Sequence, residues 1–347
     1  MQLKKVFLIR ADATAEMGIG HLMRTIALGQ MLQDAACEVH FATIAHNAEM
    51  IQGLQAENFS VHLMSAPFSE GDDASSLARI GRGISASWIV IDGYHFSATY
   101  EKKVQEAVAS ARILRIDDLP RIHHSADVLL SQNFGAQNLN FSTEVSTQKL
   151  LGLEFLLLRR EFRKARSEAK RSATHTPKRL LVTLGGGTPQ GDIASLKIAR
   201  ALFDLDACQL EVVYIAGRMS ANKAELKKCI SPNHRLLDFC DDMAREMSQA
   251  DFAIVAGGSS MWELMYLGVP FSAVALTEDQ KAYIELLAEH RLCLNLGLHT
   301  TLEPTCVKSA VTRFLSDSTL TTEFKHRYAD LVKPESLGKR LLQVLLS

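Results

Sequence analysis

At 347 residues the chain exceeds what one hydrophobic core ordinarily fills, so its length predicts two domains of about 150 to 200 residues each. Its 47% hydrophobic and 22% charged residues describe a globular chain and exclude a disordered one. Lys plus Arg number 38 against 39 Asp plus Glu, a net charge of -1, which excludes a long-range field for nucleic acid or an anionic membrane and leaves phosphate binding to loops and helix starts.

Val6 to Ile9 is a short apolar run that predicts a first strand, preceded by Lys4 and Lys5 and broken by Arg10 and Asp12. It is too short for a signal or a membrane-spanning segment, and a cytoplasmic location is expected. The turn Gly18-Ile19-Gly20-His21 follows, and apolar residues recur at near-helical spacing from Leu22 to Leu32. Further strands are predicted over Glu38 to Ala42, Trp88 to Ile91 ending in Asp92, Ile113 to Ile116 ending in Asp117 and Asp118, and Val128 to Leu130 leading to Gln132 and Asn133. Open α/β sheets keep their ligands beside such polar residues at strand carboxyl ends.

Between Arg159 and Pro177 the composition turns to Arg, Lys, Ser and Thr, and the interdomain linker is expected near Arg171 to Lys178. The expected domains are 1–170 and 178–347. In the second half, Leu180 to Leu184 runs into Gly185-Gly186-Gly187, Leu210 to Ile215 into Ala216-Gly217, and Phe252 to Val255 into Ala256-Gly257-Gly258-Ser259-Ser260. Met261 to Leu267 predicts a helix closed by Gly268 and Pro270, Phe271 to Leu276 another strand, and Thr322 to Leu346 a packed amphipathic terminal helix. The six cysteines, Cys37, Cys208, Cys229, Cys240, Cys293 and Cys306, form no CxxC pair and read as buried thiols.

Two clusters carry the chemistry. In the first half, Gly18 and Gly20 let a ligand approach the main chain, and His21 at a helix start can accept a proton from water or a sugar hydroxyl. Arg10, Asp12 and Arg24 either orient phosphate or the imidazole, or form a structural ion pair beneath the loop. Asp92, with Tyr94 and His95 behind it, can steer a histidine proton or bind sugar hydroxyls. Asp117-Asp118 lacks the partners of a metal site, and His123-His124 reads as a surface pair.

In the second half, Gly185-Gly186-Gly187-Thr188 offers main-chain donors but no Walker ending, which disfavours ATP hydrolysis. Gly257, Gly258, Ser259 and Ser260 make the better pyrophosphate site, because strand, glycines, hydroxyls and helix start coincide. Glu263 either takes both ribose hydroxyls or closes a capping box with Ser260. Asp279 and Gln280 follow another strand and suit hydroxyl or acetamido groups.

Taken in order, Arg10-Ala11-Asp12, Gly18 to Arg24, Asp92-Gly93-Tyr94, Ile116 to Leu119, Gln132-Asn133, Leu184-Gly185-Gly186, Ala256 to Glu263 and Asp279-Gln280 resemble a known pattern. It is that of the UDP-2,4-diacetamido-2,4,6-trideoxy-β-L-altropyranose hydrolases of pseudaminic acid synthesis and the related SpsG proteins. The resemblance runs from about Val6 to Ala288 and implies two Rossmann-like α/β domains in the GT-B arrangement of MurG, with an interdomain cleft. It implies a catalytic, sugar-binding domain over 1–170 and a UDP-binding domain with a terminal helix over 178–347. It makes His21 the base that activates water for inverting attack at the anomeric carbon, and Asp12 a catalytic partner that orients substrate or histidine. Substrate contacts are expected from Arg10, Gly20, Arg24, Asp92, Tyr94, Gly186, Gly257, Gly258, Ser259, Ser260, Glu263, Asp279 and Gln280. Phe239 to Met243 would meet the uracil.

The chain departs from that pattern at Asp92-Gly93-Tyr94-His95 and at Gly186-Gly187-Thr188-Pro189, which opens the choice of sugar. The alternatives are a glycosyltransferase using a related UDP-sugar, a hydrolase of another nucleotide-activated amino sugar, and a non-catalytic nucleotide-sugar binder. No cofactor, no metal, no nucleic-acid or membrane partner and a monomeric state are expected.

Overall fold

The computed structural model describes residues 4–13, 18–44, 48–65, 69–168, 177–205, 210–217 and 219–347. Contacts divide the chain into two units, one of Met1–Thr14, His21–Arg160 and Pro334–Ser347, the other of Ala15–Gly20 and Glu161–Lys333.

The first unit alternates strands and helices: β1 (Val6–Ala11), α1 (Gly20–Asp34), β2 (Glu38–Ile44), α2 (Ala48–Ala56), β3 (Ser60–Met64), α3 (Glu70–Gly83), β4 (Trp88–Asp92), α4 (Ala98–Ala107) and β5 (Arg112–Ile116). β6 (His123–His124), β7 (Val128–Ser131), β8 (Ser142–Thr143) and β9 (Gln148–Leu151) complete its strands, and α5 (Arg160–Glu168) follows. Its sheet is parallel in the order β3-β2-β1-β4-β5-β7-β9, while β6 and β8 pair separately. The strand order reverses between β1 and β4, which opens the crevice where such sheets bind ligands. Their runs Phe7-Leu8-Ile9 and Ile89-Val90-Ile91 are fully buried, as strands covered by helices on both faces must be.

The second unit repeats the plan with β10 (Lys178–Thr183), α6 (Pro189–Leu202), β11 (Leu210–Ile215), α7 (Lys223–Cys229), β12 (Arg235–Leu237), α8 (Met243–Ser248), β13 (Phe252–Ala256), α9 (Ser259–Leu267), β14 (Phe271–Ala275), α10 (Glu278–Glu289) and β15 (Leu294–Leu298). Helices α11 (Pro304–Ser316) and α12 (Ser318–Leu331) close it. The sheet order β12-β11-β10-β13-β14-β15 places its reversal between β10 and β13. The left-handed Gly268 ends α9 at the expected glycine, its amide bonded back to Leu264 and Met265.

The terminal segment departs from expectation. One helix over Thr322 to Leu346 is replaced by α12 and a separate α13 (Lys339–Leu346), because Pro334 cannot continue the ladder. Helix α13 packs on the first unit, where Lys5 Nζ and Trp88 Nε1 both donate to the Leu345 carbonyl, at 3.3 and 3.0 Å. The second domain expected over 178–347 therefore loses its terminal helix to the first.

Most of the expected linker, 171–176, lies outside the described residues, as does Cys208. Of the described cysteines only Cys37 and Cys293 are buried, and Cys306 is exposed. Among the described residues no helix is long and apolar enough to cross a membrane.

Candidate functional site

Both reversals in strand order carry the residues singled out by sequence. In the first unit, His21 stands in the first turn of α1 after β1, and Asp92 is the last residue of β4. His21 Nδ1 lies 2.7 Å from Asp92 Oδ1. Arg24, one helical turn beyond His21, donates from Nε and Nη2 to the two oxygens of Asp92, each at 2.6 Å.

Burial by itself would raise the Asp92 carboxyl, but Arg24 and then His21 hold it well below the carboxylate range, so it is ionised. An ionised carboxylate only accepts, so the 2.7 Å contact assigns the proton to His21 Nδ1, and Arg24 Nη2, 3.1 Å from the same nitrogen and itself only a donor, is then a close contact and not a hydrogen bond. Among the described residues no hydrogen bond falls on Nε2, which is then the nitrogen with a lone pair to receive a proton.

The guanidinium of Arg24 also donates from Nη1 to Asp118 Oδ2 at 2.6 Å. Asp118 in turn accepts from the Tyr94 hydroxyl at 2.7 Å and from Asn133 Nδ2 at 2.8 Å. Burial of its hydroxyl and the Asp118 charge push the Tyr94 phenol far above its ordinary value, so Tyr94 stays a donor. Its ring meets the His21 imidazole edge to face, centroids 4.6 Å apart, while the residue remains half exposed. Asp92 and Asp118 bring two negative charges and Arg24 one positive charge.

Several expected contacts are corrected here. Asp12 does not orient His21: its Oδ1 accepts from Arg10 Nη1 at 2.5 Å and from the Ile44 amide at 2.9 Å. The imidazole nearest to it is that of His95, with Nε2 at 3.8 Å. Burial, and then the charge of Arg10, lower the His95 imidazole, so it adds little positive charge. Arg10 is fully buried and commits itself to Asp12 and to both oxygens of Asp73, at 3.1 and 2.7 Å. It is the structural ion pair beneath the loop and leaves no face for phosphate.

Arg24 is likewise spent on carboxylates. Gly20 is exposed, with open space where a side chain would stand. His124, read as a surface residue, is fully buried, with Nδ1 2.8 Å from Glu101 Oε1. Asp73 on α3, Glu101 on α4 and Arg115 within β5 carry no signal in the sequence; Asp118 and Asn133 do, by their place after apolar strands.

In the second unit the loops after β10 and β13 flank the strand-order reversal. Gly187, at φ +98°, approaches the chain so closely that a Cβ there would lie 2.1 Å from the Ser220 amide nitrogen. Gly186 accepts from the Met219 amide at 3.1 Å, and Thr188 caps α6 by accepting from Gly191. This first loop is therefore largely engaged with the chain itself.

The second loop differs. Gly258 is the N-cap of α9, with no side-chain cap bond, and a Cβ on it would meet nothing within 4 Å. The first amides of α9 thus lack a side-chain partner at the cap, the arrangement that favours an anion. Gly257 is small for packing, since a Cβ would come within 2.8 Å of Gln280 Cβ.

Because α9 begins at Ser259, Ser260 is inside the helix and the capping box with Glu263 does not form. Glu263 is 7% exposed, about one turn into α9. Gln280 spends its Oε1 on the Leu276 amide at 2.8 Å, while Asp279 is exposed in the first turn of α10. Phe239 is exposed, and the half-buried Met243 opens α8 behind the Asp242 cap. Among the described residues no group of three or more His, Cys, Asp or Glu is arranged to hold a metal.

Residues 180–333 match the model of the glycosyltransferase family 28 C-terminal domain. The chain is 25% identical over 292 residues to the spore coat polysaccharide biosynthesis protein SpsG of Bacillus subtilis, covering 84% of this chain and 83% of the relative. It is 24% identical over 287 residues to the UDP-2,4-diacetamido-2,4,6-trideoxy-β-L-altropyranose hydrolase of Campylobacter jejuni, covering 81% and 96%. Among solved structures it is similar to MurG of Acinetobacter baumannii, with TM-score 0.65, 16% identity and 98% and 99% of the two chains covered. The spinosyn forosaminyltransferase SpnP aligns with TM-score 0.67 at 12% identity over all of both chains. The fold is thus GT-B-like, two Rossmann-like units, and the relation to SpsG and the hydrolase is a distant one.

Proposed function

We propose that the protein processes a UDP-activated amino sugar, with His21 Nε2 as the base that deprotonates an oxygen nucleophile attacking the anomeric carbon. The His21–Asp92 contact carries this reading, because an ionised Asp92 holds the proton on Nδ1 and leaves Nε2 as the proton acceptor. The nucleophile's oxygen bonds to C1, the bond from C1 to the phosphate oxygen breaks, and UDP leaves with the electron pair. Attack opposite the leaving group inverts the anomeric centre. The open α9 start and Glu263 fit a nucleoside diphosphate, the amides facing phosphate and the carboxylate accepting from ribose hydroxyls.

Two nucleophiles are in play. The match of 180–333 to a glycosyltransferase domain favours a hydroxyl of an acceptor, and so transfer of the sugar. Water is favoured by the Campylobacter relative, aligned over 96% of its length, and would make the protein a hydrolase of that diacetamido sugar nucleotide or one close to it. The guanidiniums of Arg10 and Arg24 are spent on carboxylates and take no substrate phosphate.

The test is proton NMR of the anomeric signal with the UDP-diacetamido sugar in ¹⁸O-water, with and without a glycan acceptor, beside His21→Ala. Free sugar of inverted configuration, labelled at C1 and formed without acceptor, supports hydrolysis. Turnover only with acceptor supports transfer. Label appearing in UDP would place the attack at phosphorus and overturn the role given to His21.

A further inference from the structure

Behind the His21 cluster lies a second set of ionic side chains, more deeply buried. Glu101 on α4, Arg115 on β5, Asp117 in the turn after it and His124 on β6 are each 4% exposed or less. His124 Nδ1 is 2.8 Å from Glu101 Oε1, and its Nε2, which has no hydrogen-bond partner, stands at ion-pair distance, 3.4 Å, from Asp117 Oδ2. Arg115 stands 3.5 Å from both carboxylates and donates a short bond, 2.9 Å, to the Gly93 carbonyl between Asp92 and Tyr94. The Nε and Nη1 atoms of Arg115 have no hydrogen-bond partner, so it does not saturate the two carboxylates.

Counting charge, Glu101 and Asp117 bring two negatives and Arg115 one positive. A protonated His124 brings this buried set to neutrality, which lowers the cost of burying its charges. The remaining oxygens are structural: Glu101 Oε2 accepts from the Ser125 amide at 2.8 Å, and Asp117 Oδ1 accepts from the amides of Asp118 and Leu119 at 2.7 and 3.1 Å. Asp117 thereby fixes the turn that aims Asp118 at Arg24. His123 and Glu144, the other titratable groups of this strand pair, are exposed and pair with each other.

We propose that His124 is a positioning residue, an imidazolium that holds Asp117 and hence the turn presenting Asp118 to Arg24, so that its charge sets the Asp92–His21 pair. Burial alone would lower the His124 imidazole, but the adjacent carboxylates of Asp117 and Glu101 raise it above the ordinary value of 6.5. Its contribution is complete below that value and is lost as pH rises through the raised one.

The functional weight of this inference rests on the reading of His21 as base, but the test does not need turnover. Imidazole ¹H–¹⁵N NMR of the full-length free protein reads both histidines. The expected result is a His124 that keeps both nitrogens protonated at pH values above the ordinary 6.5, and a downfield His21 Nδ1 proton that shifts as His124 titrates. His124→Asn should shift or broaden that His21 proton and lower kcat about tenfold or more with KM changed less than about threefold. Adding Glu101→Gln, which removes the matching negative charge, should restore both.

A His124 that titrates no higher than the ordinary 6.5, or a His21 signal indifferent to its titration, would overturn the proposal. So would loss in His124→Asn that Glu101→Gln leaves uncorrected in a folded protein, since packing alone would then explain it. Should His124→Asn fail to fold, the titration of the native protein decides by the same criterion. Coupled NMR signals with no turnover of any UDP-sugar would instead sink the reading of function and leave the coupling standing.

Discussion

His21 Nδ1 and Asp92 Oδ1 stand 2.7 Å apart although 71 positions separate them in the chain. Strand pairing makes the meeting: β1 and β4 are neighbours in register, with Ala11 opposite Asp92, so the loop after one strand falls beside the end of the other. Arg24 locks the carboxylate from the helix that carries His21.

Asp92→Asn keeps the shape but presents an amide to Nδ1, which permits the wrong tautomer. The expected cost is about 10² to 10⁴ in kcat, with UDP affinity unchanged. Steady-state kinetics and calorimetry with UDP check it; a kcat within about threefold of native would remove Asp92 from the mechanism.

Stability should fall in acid. Asp12, Asp92 and Asp117 are all held below the ordinary carboxylate range, opposed by burial and outweighed by Arg10, Arg24 and His124 respectively. Depressed carboxyls stabilise above their unfolded value of about 4 and lose that contribution as pH falls through the folded values. Arg24→Gln should cost about 3 to 5 kcal/mol at neutral pH, by stranding Asp92, and markedly less near about pH 3. Urea unfolding at both pH values measures this, and an equal loss at both would contradict the ion-pair account.

Arg10→Met strands Asp73 and Asp12 in the same way, at about 3 to 5 kcal/mol of stability. A phosphate-binding arginine would instead lose ligand affinity. Protein that still folds in the cold should bind UDP as the native chain does, which calorimetry below the unfolding temperature would reveal.

Two glycines separate ligand approach from packing. Gly187→Ala drives a methyl into the Ser220 backbone at a positive φ and should destabilise the second unit by about 3 kcal/mol or more. Gly258→Ala has open space and should cost about 1 kcal/mol or less in stability. If α9 holds pyrophosphate, the same variant weakens UDP binding about tenfold or more. Unchanged UDP affinity in Gly258→Ala would move the anion elsewhere.

Glu263 should distinguish ribose from deoxyribose. The native protein is expected to bind UDP about tenfold or more tightly than its 2′-deoxy analogue, and Glu263→Gln to lose most of that preference, since a hydrogen bond to a charged group is the stronger one. Competitive titration of the two nucleotides suffices. A preference that survives the substitution would return Glu263 to a structural role.

The alternation of apolar strands, glycine loops and helices was legible because buried parallel strands are near-continuous hydrophobic runs. So were the helix start that carries His21 and the glycine loop at Gly257 to Ser260, because turn-forming glycines punctuate the pattern there. Strand β3 and helix α3 were not: Ser60–Met64 is a partly exposed edge strand, and Glu70–Gly83 buries mostly Ala and Gly, which leave little hydropathic trace. The separate packing of α13 also escaped, because an amphipathic face shows that a helix docks and not where.

Sequence by itself therefore determined the strand ends on which polar residues stand, since local hydrophobic patterning decides what is strand. It could not determine which charges meet. Asp12 follows β1 closely and looked like the partner of His21, yet the fold turns it to Arg10 and Ile44 and brings Asp92 from the neighbouring strand instead. Partnerships of that kind arise from the lateral order of strands and from the helix turn that stacks Arg24 over His21. Only the assembled sheet decides them, because a carboxylate's partner is set by a few ångströms of space and not by distance along the chain.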